Sequence, residues 1–297
     1  MSWLYLALIA AFLWAIVNLA DKFIVDHEIN DPVIDVGISG FLGFIVITIV
    51  SYLQIDTAST LISNKFWLPL LAGILYPISL IFYYSGIKRE DVSRFIPLFG
   101  IIPVITAIAA FFLLGENFSW IVYVGILLTV FGAILISLKN PLKNWHKFKS
   151  GLAVMLGVAS AIIIAVRSLI IKFSGFSMNY WTILFWLGIG GLTVIIILLI
   201  TKFKQIKKYE HIDHLPLVGL IRAGAYLIYV KAITLGPVSL VVTAIKIKPL
   251  LVFLGSTAVS KYHPEIIHEK LDKKTILQKV FATTIIIAGV LLIKIYS

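Results

Sequence analysis

The sequence predicts an all-α integral membrane protein of ten transmembrane helices, arranged as two inverted five-helix repeats. Three observations lead there. Of the 297 residues, 60% are hydrophobic and only 13% charged, with a mean hydropathy of +1.04. Soluble domains carry about 25% charge and 45–50% apolar residues. The apolar residues fall into ten runs, each long enough to cross about 30 Å of hydrocarbon as a helix. Weak self-similarity then relates one half of the chain to the other. This composition excludes a soluble enzyme and a disordered chain. The absence of cysteine removes disulfides, thiolate metal sites and cysteine nucleophiles.

The first run, 3–20, is no signal peptide, because no basic residue precedes it and Trp3, Trp14 and Asn18 interrupt it. The second and third are 33–53 and 67–86. The fourth, 92–113, holds Pro103 near its centre, and the four residues 115–118 join it to the fifth, 119–138. A basic connection, 139–150, separates the expected first repeat, 1–138, from the second, 151–297. The sixth run is 151–172 and the seventh 180–201. The eighth, 216–235, and the ninth, 238–259, meet at Gly236-Pro237; the tenth is 276–295. Connections 202–215 and 260–275 have room for a surface helix at most. Period-two alternation is absent, which argues against a transmembrane barrel.

Basic residues set the expected orientation. The odd-numbered connections carry fifteen: Lys22, Lys88, Arg89, Lys139, Lys143, Lys147, Lys149, Lys202, Lys204, Lys207, Lys208, Lys261, Lys270, Lys273 and Lys274. The other side carries three, Lys65, Lys172 and Lys294. The expectation is a multi-pass protein of the cell membrane with both termini outside the cytoplasm.

A shift of 146 places Val92-Ser93 on Val238-Ser239 and Pro103 on Pro249; a shift of 150 places Lys22-Phe23 on Lys172-Phe173. Each half has five spans, an odd number, so the second lies upside down relative to the first. Inverted repeats that hold a substrate near the midplane are an architecture of secondary transporters.

The stretch from Ser85-Gly86-Ile87-Lys88 to Glu116, with Pro103 inside it and Leu114-Gly115-Glu116 at its end, resembles the first repeat of EamA-type proteins of the drug/metabolite transporter superfamily. Gly125 and Gly132 supply the spaced small residues of the fifth span. Gly236-Pro237-Val238-Ser239 and Pro249 repeat the plan, with Ser260-Lys261-Tyr262 in place of Leu-Gly-Glu. The resemblance implies that spans one to four and six to nine surround a central cavity, with five and ten packed to one side. Two departures stand out. The second-span Arg of typical relatives is missing, and those relatives keep both termini in the cytoplasm, opposite to the charge count here.

Seven basic residues fall inside spans: Arg94, Arg167, Arg222, Lys231, Lys246, Lys248 and Lys279. A cation in hydrocarbon costs a few kcal/mol and normally faces a cavity or a partner. Carboxylates are nearly absent, since Asp35 and Glu116 lie at span ends, so the expected counterion is the substrate. Arg94, Lys231 and Lys279 sit close enough to span ends to snorkel. Arg222, Tyr226 and Tyr229 share one helical face. Lys246 and Lys248 lie deepest; about 200° apart on a regular helix, they face one pocket only if Pro249 kinks the span. This pair is similar to the basic pair of the triose-phosphate translocator branch, with Ile247 inserted between them. Trp14 and Asn18 share a face of the first span. Small multidrug relatives carry a Glu there to exchange protons for cations; this chain has no acid before Asp21.

The expectation is a secondary transporter that moves a small anionic metabolite, a phosphorylated compound or an organic carboxylate, by alternating access. Lys246, Lys248, Arg222, Arg167, Tyr226, Tyr229, Asn18 and Trp14 are the candidate substrate contacts, and Pro103 and Pro249 the hinges. An exporter of amino acids or neutral metabolites and a lipid-phosphate flippase are the alternatives. No catalytic cluster points to an enzyme, and no cofactor is expected beyond coupling to protons or a counter-substrate. His211-Ile212-Asp213-His214 reads as a solvated stretch rather than a metal site. The expected partners are the small-molecule substrate and the lipid bilayer, without nucleic acid, in a monomer or homodimer.

Overall fold

Hydrocarbon offers backbone polar groups nothing to bond, so a chain that crosses it repeatedly must do so as helices or a closed barrel. The computed structural model describes residues 2–27, 31–55, 64–90, 95–138, 150–206, 215–262 and 273–297. Among them there are ten helical segments long and apolar enough to cross a membrane, and no strands. Arg94, most of the 139–150 connection and the His211–His214 stretch lie outside the described residues.

The helices are α1 Trp3–His27, α2 Pro32–Leu53, α3 Trp67–Ile87, α4 Ile101–Leu114, α5 Trp120–Ser137, α6 Gly151–Ser174, α7 Tyr180–Ile206, α8 Leu215–Leu235, α9 Val238–Ala244, α10 Lys248–Tyr262 and α11 Lys273–Tyr296. Two spans are composite. A 3₁₀ turn, Ile96–Gly100, leads into α4 to make the fourth span. The 3₁₀ turn Ile245–Ile247 joins α9 to α10 within the ninth. Both turns lie just before a proline, Pro103 and Pro249, that has no N–H to continue the α-helical ladder. The break expected at Pro249 is therefore present, as a tightened turn.

Eight spans close into a ring in the order one, eight, two, seven, three, six, four, nine and back to one. Every junction of this ring joins a helix of the first five spans to one of the last five. The order is unchanged when each span is exchanged for the one five places away. Spans five and ten, α5 and α11, pack on each other outside the junction of four and nine.

Small residues let the helices meet. A Cβ on Gly73 would overlap the Leu187 carbonyl, and one on Gly190 would overlap the Leu70 carbonyl, so α3 and α7 touch backbone to backbone. The spaced glycines of the fifth span serve α11 in the same way. A Cβ on Gly125 would stand 2.9 Å from the Gly289 carbonyl oxygen, and one on Gly132 would stand 2.9 Å from that of Ala282. Such close approach takes the place of hydrophobic drive in lipid.

Asp31 caps α2 through the Val33 N–H at 2.9 Å and pairs with Lys202 of α7 at 3.0 Å. Burial alone would raise its pKa. The hydrogen bonds from Lys202 and Val33 and the nearby positive charge outweigh this and hold it below the ordinary Asp value. A carboxyl with a lowered folded pKa contributes stability above its unfolded pKa and loses it as pH falls through the folded one.

Two outcomes follow for purified protein. Gly73→Val lowers the apparent melting temperature by the equivalent of about 1–3 kcal/mol, while Gly224→Ala, whose Cβ would meet nothing within 4 Å, leaves it within experimental error. Acidification through the carboxylate range lowers the melting temperature of the wild type more than that of Asp31→Asn, read by a thermal-unfolding series at stepped pH.

Candidate functional site

The polar residues of the spans gather where α6 and α8 face each other across the ring. Arg167 of α6 is 2% exposed, and its guanidinium lies against two phenol rings that pack on each other at 5.3 Å, 4.6 Å from the centroid of Tyr76 and 4.8 Å from that of Tyr226. Cation–π attraction strengthens when the ion is desolvated, as here. Nε donates to the Ala72 carbonyl at 3.4 Å. Nη2 is buried with no hydrogen-bond partner among the described residues, and so is the Tyr226 hydroxyl. Tyr226 is itself 2% exposed.

The stack continues on both sides. Tyr226 leans on Tyr229 at 6.2 Å, Tyr229 on Trp14 at 5.0 Å, and Tyr76 on Phe44 at 5.8 Å. The Tyr229 and Ser168 hydroxyls share a hydrogen bond of 2.8 Å. With its amide oriented so that both ends bond, Asn18 accepts from Lys248 Nζ at 3.2 Å and donates to the Trp14 carbonyl at 3.3 Å. Arg167, Tyr226, Tyr229 and Trp14 thus form one stack, and Asn18 joins it to Lys248.

The other two cations go elsewhere. Arg222 Nη1 donates to Ser39 Oγ at 2.8 Å, across the junction of α8 and α2. Lys246 Nζ donates to the Phe99 carbonyl at 2.8 Å. That carbonyl is the one Pro103, four residues on, cannot bond. Lys246 and Lys248 therefore do not turn toward a shared pocket in this conformation. The ninth span stands between the fourth and the first, and each lysine reaches a different neighbour.

The sequence reading passed over Tyr76, Ser39 and Phe44. Tyr76 did carry a signal, an aromatic just before Pro77 inside a span, whereas the other two had none. It also treated Glu116 as a motif without a task. Gly115 ends α4 in the left-handed region at φ 68°, and this turns Glu116 toward the start of α9. Its carboxylate accepts from the Val238 N–H at 2.6 Å, from the Ser239 N–H at 3.2 Å and, in a short bond, from the Ser239 hydroxyl. A carboxylate at a helix N-terminus meets unbonded N–H groups and the favourable end of the dipole. On the same face Lys172 Nζ donates to the Ile233 and Gly236 carbonyls at 3.1 and 2.8 Å. Connections four, six and eight are so tied together at one end of the ring, while Asp31 and Lys202 tie α2 to α7 at the other. A groove of about 380 Å³ between α4 and α5, lined by Phe111, Phe112 and Leu127 among others, lies outside the ring and is apolar.

Ten crossings closed around a buried polar stack define a multi-pass membrane protein. Residues 1–138, the first five spans, match the EamA-like transporter family. Proteins of this family are membrane transporters of small molecules, not enzymes. One solved crystal structure, among 29 matching chains, aligns over 99% of this chain and 97% of its own length. Its TM-score is 0.72 and its identity 15%, a likeness of fold alone. No curated protein sequence matches.

The Glu116 clamp is open to a direct test, since a protein without cysteine gives no background to thiol labelling. Thr243, buried one turn below Ser239 on α9, is replaced by Cys in reconstituted vesicles. A charged methanethiosulfonate added on the face of connections four, six and eight labels it at least about five times faster when Glu116→Gln or Ser239→Ala is also present. Equal rates would show that the clamp does not close that end.

Proposed function

We propose that this protein carries a small organic anion across the membrane by alternating access, with Arg167 as the binding cation. The observation that carries the reading is the pair of buried, unbonded donors, Arg167 Nη2 and Tyr226 O–H, in the middle of the ring. Buried polar groups are nearly always hydrogen-bonded, and an unpaired one costs about 1–3 kcal/mol. A guanidinium kept in this state against two rings is poised to receive an acceptor. Tyr229, Trp14 and Asn18 shape the site around it.

The path to the site runs from the end of the odd-numbered connections. Trp14, Asn18, Lys246 and Lys248 are partly exposed along that way, whereas Arg167, Tyr226 and Tyr229 beyond them are buried. Lys248 supplies positive potential to this approach, and Arg222 steadies the neighbouring α2–α8 junction. By the positive-inside bias this end is cytoplasmic. The Glu116 and Lys172 ties close the opposite end. Release there requires those ties to part, as the two five-helix halves, read as inverted repeats, rock about the breaks at Pro103 and Pro249.

Purified protein is heated with organic carboxylates, phosphorylated metabolites, neutral amino acids and lipophilic cations in turn. Anions raise the apparent melting temperature, since a ligand at a hundred times its Kd stabilises by about 2.7 kcal/mol. The shift disappears in Arg167→Gln and persists in Lys231→Met, whose cation rests on the Tyr180 ring at 4.6 Å, away from the stack. Stabilisation by cations or neutral solutes alone, unchanged in Arg167→Gln, would overturn the reading.

A further inference from the structure

Resting on the anion reading, we infer that the ligand of the Arg167 stack is an organic monocarboxylate with an apolar body, and neither a phosphate ester nor an amino acid. Charge is the first ground. Among the described residues, the other cations deep in the spans have partners: Lys172 and Lys246 bond carbonyls, Lys248 bonds Asn18, Arg222 bonds Ser39, Lys231 lies over the Tyr180 ring and Lys279 over that of Phe253. Arg167 alone has a buried nitrogen without a partner among the described residues. One positive charge neutralises one negative charge. A phosphate monoester carries about −1.5 to −2 at neutral pH and would leave excess negative charge sealed among rings, which burial penalises.

Shape is the second ground. The Tyr76 and Tyr226 rings lie together on one side of the guanidinium, and Nε is taken by the Ala72 carbonyl. Nη2 and the Tyr226 hydroxyl keep their bonding capacity unspent. Two donors suit the two coplanar oxygens of a carboxylate, which pairs edge-on with guanidinium.

The third ground separates carboxylic acids from amino acids. Among the described residues, the carboxylates of Asp31, Glu90 and Glu116 stand at the ends of helices, Asp31 paired with Lys202 and Glu116 with the start of α9. An α-ammonium beside Arg167 would meet a like charge and none of these carboxylates, the costly condition for an ion in hydrocarbon. Aromatic rings stand next to the head group besides. Tyr229 spends its hydroxyl on Ser168 and turns its ring to Trp14.

Matched probes test this by calorimetric titration of the purified protein: propanoate, alanine and ethyl phosphate in one series, 3-phenylpropanoate, phenylalanine and 2-phenylethyl phosphate in the other. In at least one series the carboxylate binds about tenfold or more tighter than its two companions. Tyr226→Phe weakens it several-fold, and Arg167→Gln abolishes it. Phosphate esters or amino acids binding as tightly as carboxylates, with the Arg167 dependence kept, would overturn this inference and leave the anion reading standing. Binding of no anion in either series overturns both.

Discussion

A backbone carbonyl left unbonded in hydrocarbon has no water to turn to, and the ring is built around answering that demand. Pro103 releases the Phe99 carbonyl in the middle of the fourth span, and Lys246 supplies the missing donor from the ninth. Lys172 does the same for the last turn of α8, and Gln278 Nε2 for the Leu135 and Leu138 carbonyls that end α5, both at 2.8 Å. Glu116 answers the opposite need, accepting from the unbonded N–H groups that open α9. In all of these contacts but that of Lys172, a side chain of one half completes the backbone of the other. The breaks that let the fourth and ninth spans bend are therefore also the places where the halves are held.

Against that background Arg167 is the exception. Among the described residues the Thr257 hydroxyl is also buried without a partner, but here a charged guanidinium nitrogen and a phenol in contact with it are both buried with bonding capacity unspent. The two rings beside it offset part of the desolvation cost without using its hydrogen-bond donors. The ion is thereby held in place by contacts that do not compete with an incoming acceptor. A site arranged this way gains most when an acceptor reaches the unused edge.

The spans were legible in the sequence because lipid imposes a length on them; all ten runs reappear as helices. Their ends were less so, because α1 and α7 continue as far as His27 and Ile206, well past the apolar runs. Part of the site was legible as well. Tyr226 and Tyr229 sit one turn apart on α8, and both enter the stack. Lys246 and Lys248 show the limit of such reading. A helical wheel gives their angle, and Pro249 a reason for them to converge, but where each reaches depends on which helices flank the ninth span. That order is set by junctions between distant parts of the chain, so a single sequence read along its length does not display it. Glu116 illustrates the same limit, since the helix end it caps begins 122 residues later.

The all-crosswise character of the ring bears on how the chain is made. No junction of the ring joins two helices from the same half, so the first five spans leave the ribosome with no packing surface of that ring complete. Until the last five arrive and interleave, the contacts open to them are those between the second and third spans and between the fourth and fifth. Tyr76, Arg167's future ring partner, waits among them.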